Sequence, residues 1–147
     1  MHLIVDGYGN DARILQDEKF LYEFLDTYPA QIGMTKISKP MVIRYVGKNP
    51  EDWGISGFVF IAESHISVHT FVEPRYVNID VFSCKGFEAE RVLADLRDRF
   101  KLVEFRIHKI ERDWEPVESG SVPVTVERRP VIVRAIPRGP RPGGQAR

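Results

Sequence analysis

At 147 residues, with 43% hydrophobic and 29% charged side chains, the chain has the size and make-up of one globular domain. Its formal net charge of zero supplies no global field to gather nucleic acid or an anionic membrane surface, so neither is an expected partner. No apolar run reaches the ~18 residues of a membrane span, and a single cysteine, Cys84, rules out an internal disulfide.

The start, Met1-His2-Leu3-Ile4-Val5-Asp6, has neither a basic region nor a long apolar one. No signal peptide is expected, and the expected location is cytoplasmic. A first strand is predicted over 2–7, before the turn cluster Asp6-Gly7-Tyr8-Gly9-Asn10. Asn10 or Asp11 can cap a helix, because a short side-chain oxygen accepts from the free N–H groups of the first turn. Ile14, Leu15, Phe20, Leu21, Phe24 and Leu25 recur at helical spacing, which predicts an amphipathic helix over 11–27 with a break near Asp17. Pro29 and Gly33 are expected to end it.

Residues 34–40 read as partly extended and 41–46 as a strand. A turn-rich loop over 47–54 leads to three alternating runs, 55–62, 66–72 and 76–84, which predict a β-meander with Ser64 at its first bend. A second helix is predicted over 87–100, where Phe87, Val92, Leu93, Leu96 and Phe100 form the apolar stripe. A last strand follows over 102–110. Residues 121–147 then hold five of the ten prolines, six arginines and one acid. The expected organisation is therefore a domain over 1–112 and a partly flexible Pro/Arg-rich extension over 113–147. The order βα(β)βββαβ predicts an α+β fold: a two-layer sandwich, with an antiparallel sheet carrying two helices on one face. The other face of such a sheet is a natural homodimer surface.

Alternation puts Ser67, His69, Phe71 and Glu73 on one side of their strand and Ile66, Val68, Thr70 and Val72 on the other. Tyr76, Asn78, Asp80, Phe82 and Cys84 share one parity in the next run. A serine at a bend, a histidine five residues on and a lone thiol are thus expected to converge. A serine nucleophile beside a histidine base is one reading of that set. Each residue also has a plainer explanation: a turn former, a satisfied strand histidine, a small buried thiol. No G-x-S-x-G elbow is present, which argues against an α/β-hydrolase. His65, His69 and His108 lack metal-ligand spacing, so no metal site is assigned.

The segment Gly54-Ile55-Ser56-Gly57-Phe58-Val59-Phe60-Ile61-Ala62-Glu63-Ser64-His65-Ile66-Ser67-Val68-His69-Thr70 resembles the self-processing segment of the prokaryotic S-adenosylmethionine decarboxylase proenzymes. Asp80-Val81-Phe82-Ser83-Cys84 resembles a second segment of that family at the same distance. The resemblance runs over about residues 2–112. It implies autocatalytic cleavage between Glu63 and Ser64, in which Ser64 attacks the Glu63 carbonyl and becomes a covalent pyruvoyl group. That group would form a Schiff base with the substrate amine. His69 would accept the proton during processing, Ser56 would assist, and Cys84 would return a proton to the substrate. The product, decarboxylated S-adenosylmethionine, would serve spermidine synthesis.

Where the family has H-T-W-P-E, this chain has His69-Thr70-Phe71-Val72-Glu73. Phe71 and Glu73 are the expected substrate-binding residues, and Phe71 is expected to border the pyruvoyl site. The change at Phe71 leaves a pyruvoyl-dependent arginine or ornithine decarboxylase as an alternative. A non-catalytic binding or regulatory homologue is the third reading.

Overall fold

The structure is a computed structural model, and it describes residues 1–49 and 51–111. The expected extension over 113–147 lies outside the described residues.

Period-2 sequences form six strands: β1 (His2–Gly9), β2 (Met41–Val46), β3 (Trp53–Ile61), β4 (Ser64–Phe71), β5 (Tyr76–Ser83) and β6 (Leu102–Ile110). They make one antiparallel sheet in the order β2-β3-β4-β5-β1-β6. The meander β2 to β5 is contiguous, and β1 is inserted between β5 and β6. The α+β sandwich expected from the element order is the fold observed.

The first helical stretch is broken, as its sequence suggests. α1 (Ala12–Leu15) is capped by Asp11, whose carboxylate accepts from the Arg13 N–H. α2 (Glu18–Gln31) is capped by Asp17, which accepts from the Phe20 N–H. Each cap satisfies a donor the helix cannot. Pro29, expected to end the helix, instead lies inside its last turn. The stop is Gly33 at φ +72°: its N–H donates to the Ala30 carbonyl and the Met34 N–H to the Pro29 carbonyl. This double bond pattern needs a left-handed residue, which glycine adopts without penalty. α3 (Ala89–Phe100) closes on Lys101, also left-handed at φ +53°.

α2 and α3 cover one sheet face. Val5, Ile55, Val59, Ile61, Ile66, Val68, Val77, Ile79 and Val81 point into this layer and are buried. Phe24, Tyr28 and Phe100 fill it from the helices, with Phe24 stacked on Tyr28 and edge-on to Phe100. α2 comes so close to β3 that a Cβ on Gly57 would lie 2.6 Å from Leu25 Cδ1. A side chain there would have to push Leu25 aside.

Among the described residues, no element covers the opposite face. Tyr8, Met41, Ile43, Tyr45, Phe60, Phe71 and Ile110 are exposed, and strand register puts them all on this side. Large apolar side chains exposed together on one face are a candidate interaction surface.

Candidate active site

The Glu63–Ser64 peptide closes a tight hairpin. Ile61 pairs with Ser64, and Ala62 and Glu63 form the turn. Ser64 therefore opens β4, where the alternation suggested a residue ahead of the strand. Its φ is +155°, one of three positive values at non-glycine residues among the described residues. An L side chain rarely adopts such a backbone, so Ser64 is held under strain.

Three segments hold this turn in place. From the 34–38 stretch, the Ala62 N–H donates to the Thr35 carbonyl at 2.8 Å, and the Thr35 N–H donates to Glu63 Oε2 at 3.0 Å. The Ile37 N–H donates to the Phe60 carbonyl, and Ser38 Oγ accepts from the Phe60 N–H. From the end of β5, the Cys84 N–H donates to the Glu63 carbonyl oxygen at 2.9 Å. The Thr35 N–H, and more weakly the Lys85 ammonium, hold the Glu63 carboxyl below the usual glutamate value. Within β4 itself, Ser64 Oγ lies 3.2 Å from Nδ1 of His65.

His65 faces the open side of the sheet. It stacks on Phe58 with centroids 5.0 Å apart and meets Phe82 edge-on at 5.4 Å. His2 lies beyond Phe82, bonded through Nε2 to Asp80 at 2.8 Å. Burial pushes the His65 imidazole below the usual histidine value and nearby His2 adds to this, while the Asp80 carboxylate opposes it.

The expected site residues fall into two groups. Glu63, Ser64 and Cys84 meet at one end of β4. Ser56 and His69 meet further along, as a cross-strand pair with Ser56 Oγ 2.9 Å from His69 Nδ1. Five residues of strand separate Ser64 from His69, about 17 Å at roughly 3.3 Å per residue. The expected convergence of Ser64, His69 and Cys84 therefore does not occur within one chain. Phe71, at the far end of β4, lies further still from the Ser64 of its own chain and does not border it within one protomer.

Phe71 is exposed and packs on Tyr76, which in turn packs on Tyr8, giving an aromatic row across β4, β5 and β1. Glu73 accepts from the Trp53 indole N–H at 3.2 Å. A cleft of about 280 Å³ opens beside them, lined by Asn49, Glu51, Asp52, Trp53, Phe71 and Pro74.

The sequence reading gave no role to His65, although it stood in the motif. Successive strand side chains point to opposite faces, so its contact with Ser64 could not be read from alternation.

Residues 1–113 match the family described as S-adenosylmethionine decarboxylase. A protein of Clostridium botulinum (strain Loch Maree / Type A3) named S-adenosylmethionine decarboxylase proenzyme is 30% identical over 112 residues, covering 76% of this chain and 91% of that one. A protein of the same name from Parasynechococcus marenigrum (strain WH8102) is 31% identical over 122 residues, covering 82% and 91%. The crystal structure of the adenosylmethionine decarboxylase from Aquifex aeolicus VF5 is similar with a TM-score of 0.63 and 27% identity, over 82% of this chain and 95% of that one.

Proposed function

We propose that this chain, which belongs to the S-adenosylmethionine decarboxylase family, is a proenzyme that cuts itself between Glu63 and Ser64 and then decarboxylates S-adenosylmethionine. The observation that carries this reading is the condition of the Glu63–Ser64 peptide. Its carbonyl already accepts a hydrogen bond from Cys84, and its serine stands at φ +155°. Strain of this kind costs of order 1–3 kcal/mol, and moving the acyl group from nitrogen to Oγ relieves it. The Cys84 N–H points at the oxygen that gains negative charge as Oγ attacks. One such donor typically contributes about 10²–10³ in rate.

Loss of the Ser64 Cα proton then expels the Glu63 carboxylate from Cβ and leaves a dehydroalanine, and water replaces its nitrogen, released as ammonia, to give the pyruvoyl group of a new chain starting at residue 64. When present, that group supplies an electron-withdrawing carbonyl that takes up the electrons released as the substrate carboxylate departs. The chain's own groups bind and move protons. The thiol of Cys84, exposed and on the residue bonded to Glu63, donates the proton that replaces the lost carboxylate. A thiol that must stay reduced fits a cytoplasmic setting.

His69 cannot serve the Ser64 of its own chain across about 17 Å. We assign it to the partner's Ser64, in a homodimer closed through the open sheet faces with its two-fold axis near the middle of β4. The exposed apolar side chains of that face support this closure. Each site then combines Glu63, Ser64 and Cys84 of one protomer with Ser56, His69, Phe71 and Glu73 of the other. Ser56 holds His69 at Nδ1, which leaves Nε2 to take the Cα proton of Ser64 during elimination.

For the substrate, the aromatic row at Phe71 offers a stacking surface to adenine and an electron-rich face to a sulfonium, and Glu73 lies beside it. The acids Glu51 and Asp52 in the same cleft favour a second reading, arginine or ornithine, whose cationic ends seek carboxylates. The product expected from the first reading is an aminopropyl donor for spermidine synthesis.

Intact mass and labelled carbon-dioxide release test the proposal together. Fragments 1–63 and 64–147, with turnover of S-adenosylmethionine, support it. A chain that stays whole on prolonged incubation sinks it. Turnover of arginine or ornithine alone replaces the substrate and keeps the chemistry.

A further inference from the structure

We infer that His65 is the base that activates Ser64 for the first step of self-cleavage, because its Nδ1 lies 3.2 Å from Ser64 Oγ across a serine whose φ is +155°. This inference rests on the self-cleavage reading above. In a regular strand, neighbouring side chains point to opposite faces and cannot touch. Ser64 pairs with Ile61 on the helix-covered side, and His65 pairs with Phe60 and Phe82 on the open side. The left-handed φ of Ser64 swings its hydroxyl out of that alternation and onto the imidazole. The strain and the contact are thus one feature.

The ring cannot easily turn away. Phe58 stacks on one side of it and Phe82 meets it edge-on. The titratable groups facing it are His2 on β1 and Asp80 on β5, bonded to each other. Burial favours the neutral imidazole, the form that can accept a proton.

The step balances within the chain. Nδ1 takes the proton of Ser64 Oγ as the oxygen bonds to the Glu63 carbonyl carbon, whose π pair moves to oxygen beneath the Cys84 N–H. The pair returns as the C–N bond breaks, and the imidazolium gives its proton to the departing Ser64 nitrogen. The products are an ester and a free amine, with no net proton gained or lost. Removal of the Cα proton is a separate, later step, and it belongs to His69. Two histidines therefore serve two successive steps.

The test follows cleavage of freshly translated full-length chain by gel and mass. His65→Phe keeps a ring for Phe58 and Phe82 but has no nitrogen, and His65→Gln keeps polarity without basicity. Both should slow the first step by about 100-fold or more and leave an intact amide that hydroxylamine does not split. His69→Ala, in contrast, should accumulate the hydroxylamine-sensitive ester. The wild-type cleavage rate should fall as pH drops through the His65 titration. Asp80→Asn removes a charge that favours imidazolium, so it should move this acid limb to lower pH. A folded His65→Phe that cleaves at the wild-type rate, or that gathers ester, overturns the assignment. If both His65 variants misfold, an acid limb that stays in place or moves upward in Asp80→Asn overturns it equally. A wild-type chain that never cleaves defeats the parent reading instead.

Discussion

The backbone N–H of Cys84 donates to the carbonyl oxygen of Glu63 at 2.9 Å, so a single residue offers two separate groups to one site. In the proposed reaction the amide would act on the Glu63 carbonyl during cleavage and the thiol on substrate afterwards. Cys84→Ala keeps the amide and loses the thiol. It should process within about threefold of the wild-type rate and lose about 10²–10⁴ in kcat. Iodoacetamide should add one label to the exposed thiol and abolish turnover, with substrate protecting. Full turnover by the alanine variant would remove the thiol from the mechanism.

The separation of Ser64 from His69 along β4 predicts complementation between copies. Ser64→Ala alone and His69→Ala alone should both fail to make pyruvoyl. Co-expressed, they should form mixed dimers in which the His69→Ala chain is processed, because it carries Ser64 and receives His69 from its partner. At most one site per mixed dimer can be restored. Sedimentation gives the oligomeric state, and mass spectrometry identifies the processed chain. Absence of any processing in a proven mixed dimer would exclude action between protomers.

Ser56 bonds Nδ1 of His69, which orients the ring. Ser56→Ala frees the ring to rotate. It should slow ester breakdown without slowing ester formation, and the transient ester should rise in a hydroxylamine time course. Equal slowing of both steps would place Ser56 elsewhere in the reaction.

Phe71 heads an exposed aromatic row. If adenine stacks there, Phe71→Ala should raise KM for S-adenosylmethionine about tenfold, corresponding to about 1.4 kcal/mol of binding. Phe71→Trp should be tolerated, since it enlarges the stacking surface. An unchanged KM in the alanine variant would move the nucleoside site away from this strand.

Gly57 faces Leu21 and Leu25 of α2, and a Cβ there would lie 2.6 Å from Leu25 Cδ1. Gly57→Ala must displace the Leu25 side chain or α2 itself and should cost about 1–3 kcal/mol of stability. Thermal unfolding reads this as a lower Tm. An unchanged Tm would mean that α2 shifts freely on the sheet.

Much of this protein was legible in the chain. Helical spacing marked α2 and α3, alternation marked the meander, and the β4 parity put His69 and Phe71 on the exposed side, although Ser67 on that same side is buried and Asn78 and Asp80 of β5 are half-buried. These patterns are local. A strand repeats every two residues and a helix every 3.6, whatever lies across the fold. The motif around Ser64 was legible for the same reason, because its residues are neighbours in sequence. Asp17 could be read as a break because a cap acts within three residues. Pro29 misled because the helix end was set by the left-handed Gly33, four residues on. The tertiary structure alone decided what depends on distant pairing. It inserted β1 between β5 and β6, brought the Cys84 amide to the Glu63 carbonyl, tied Thr35 to the turn, and set Ser56 against His69. It also kept His69 away from Ser64 and turned Ser64 onto His65 instead. A strand is rigid enough to hold residues five apart at its two ends, and one positive φ is enough to reverse the direction of a side chain.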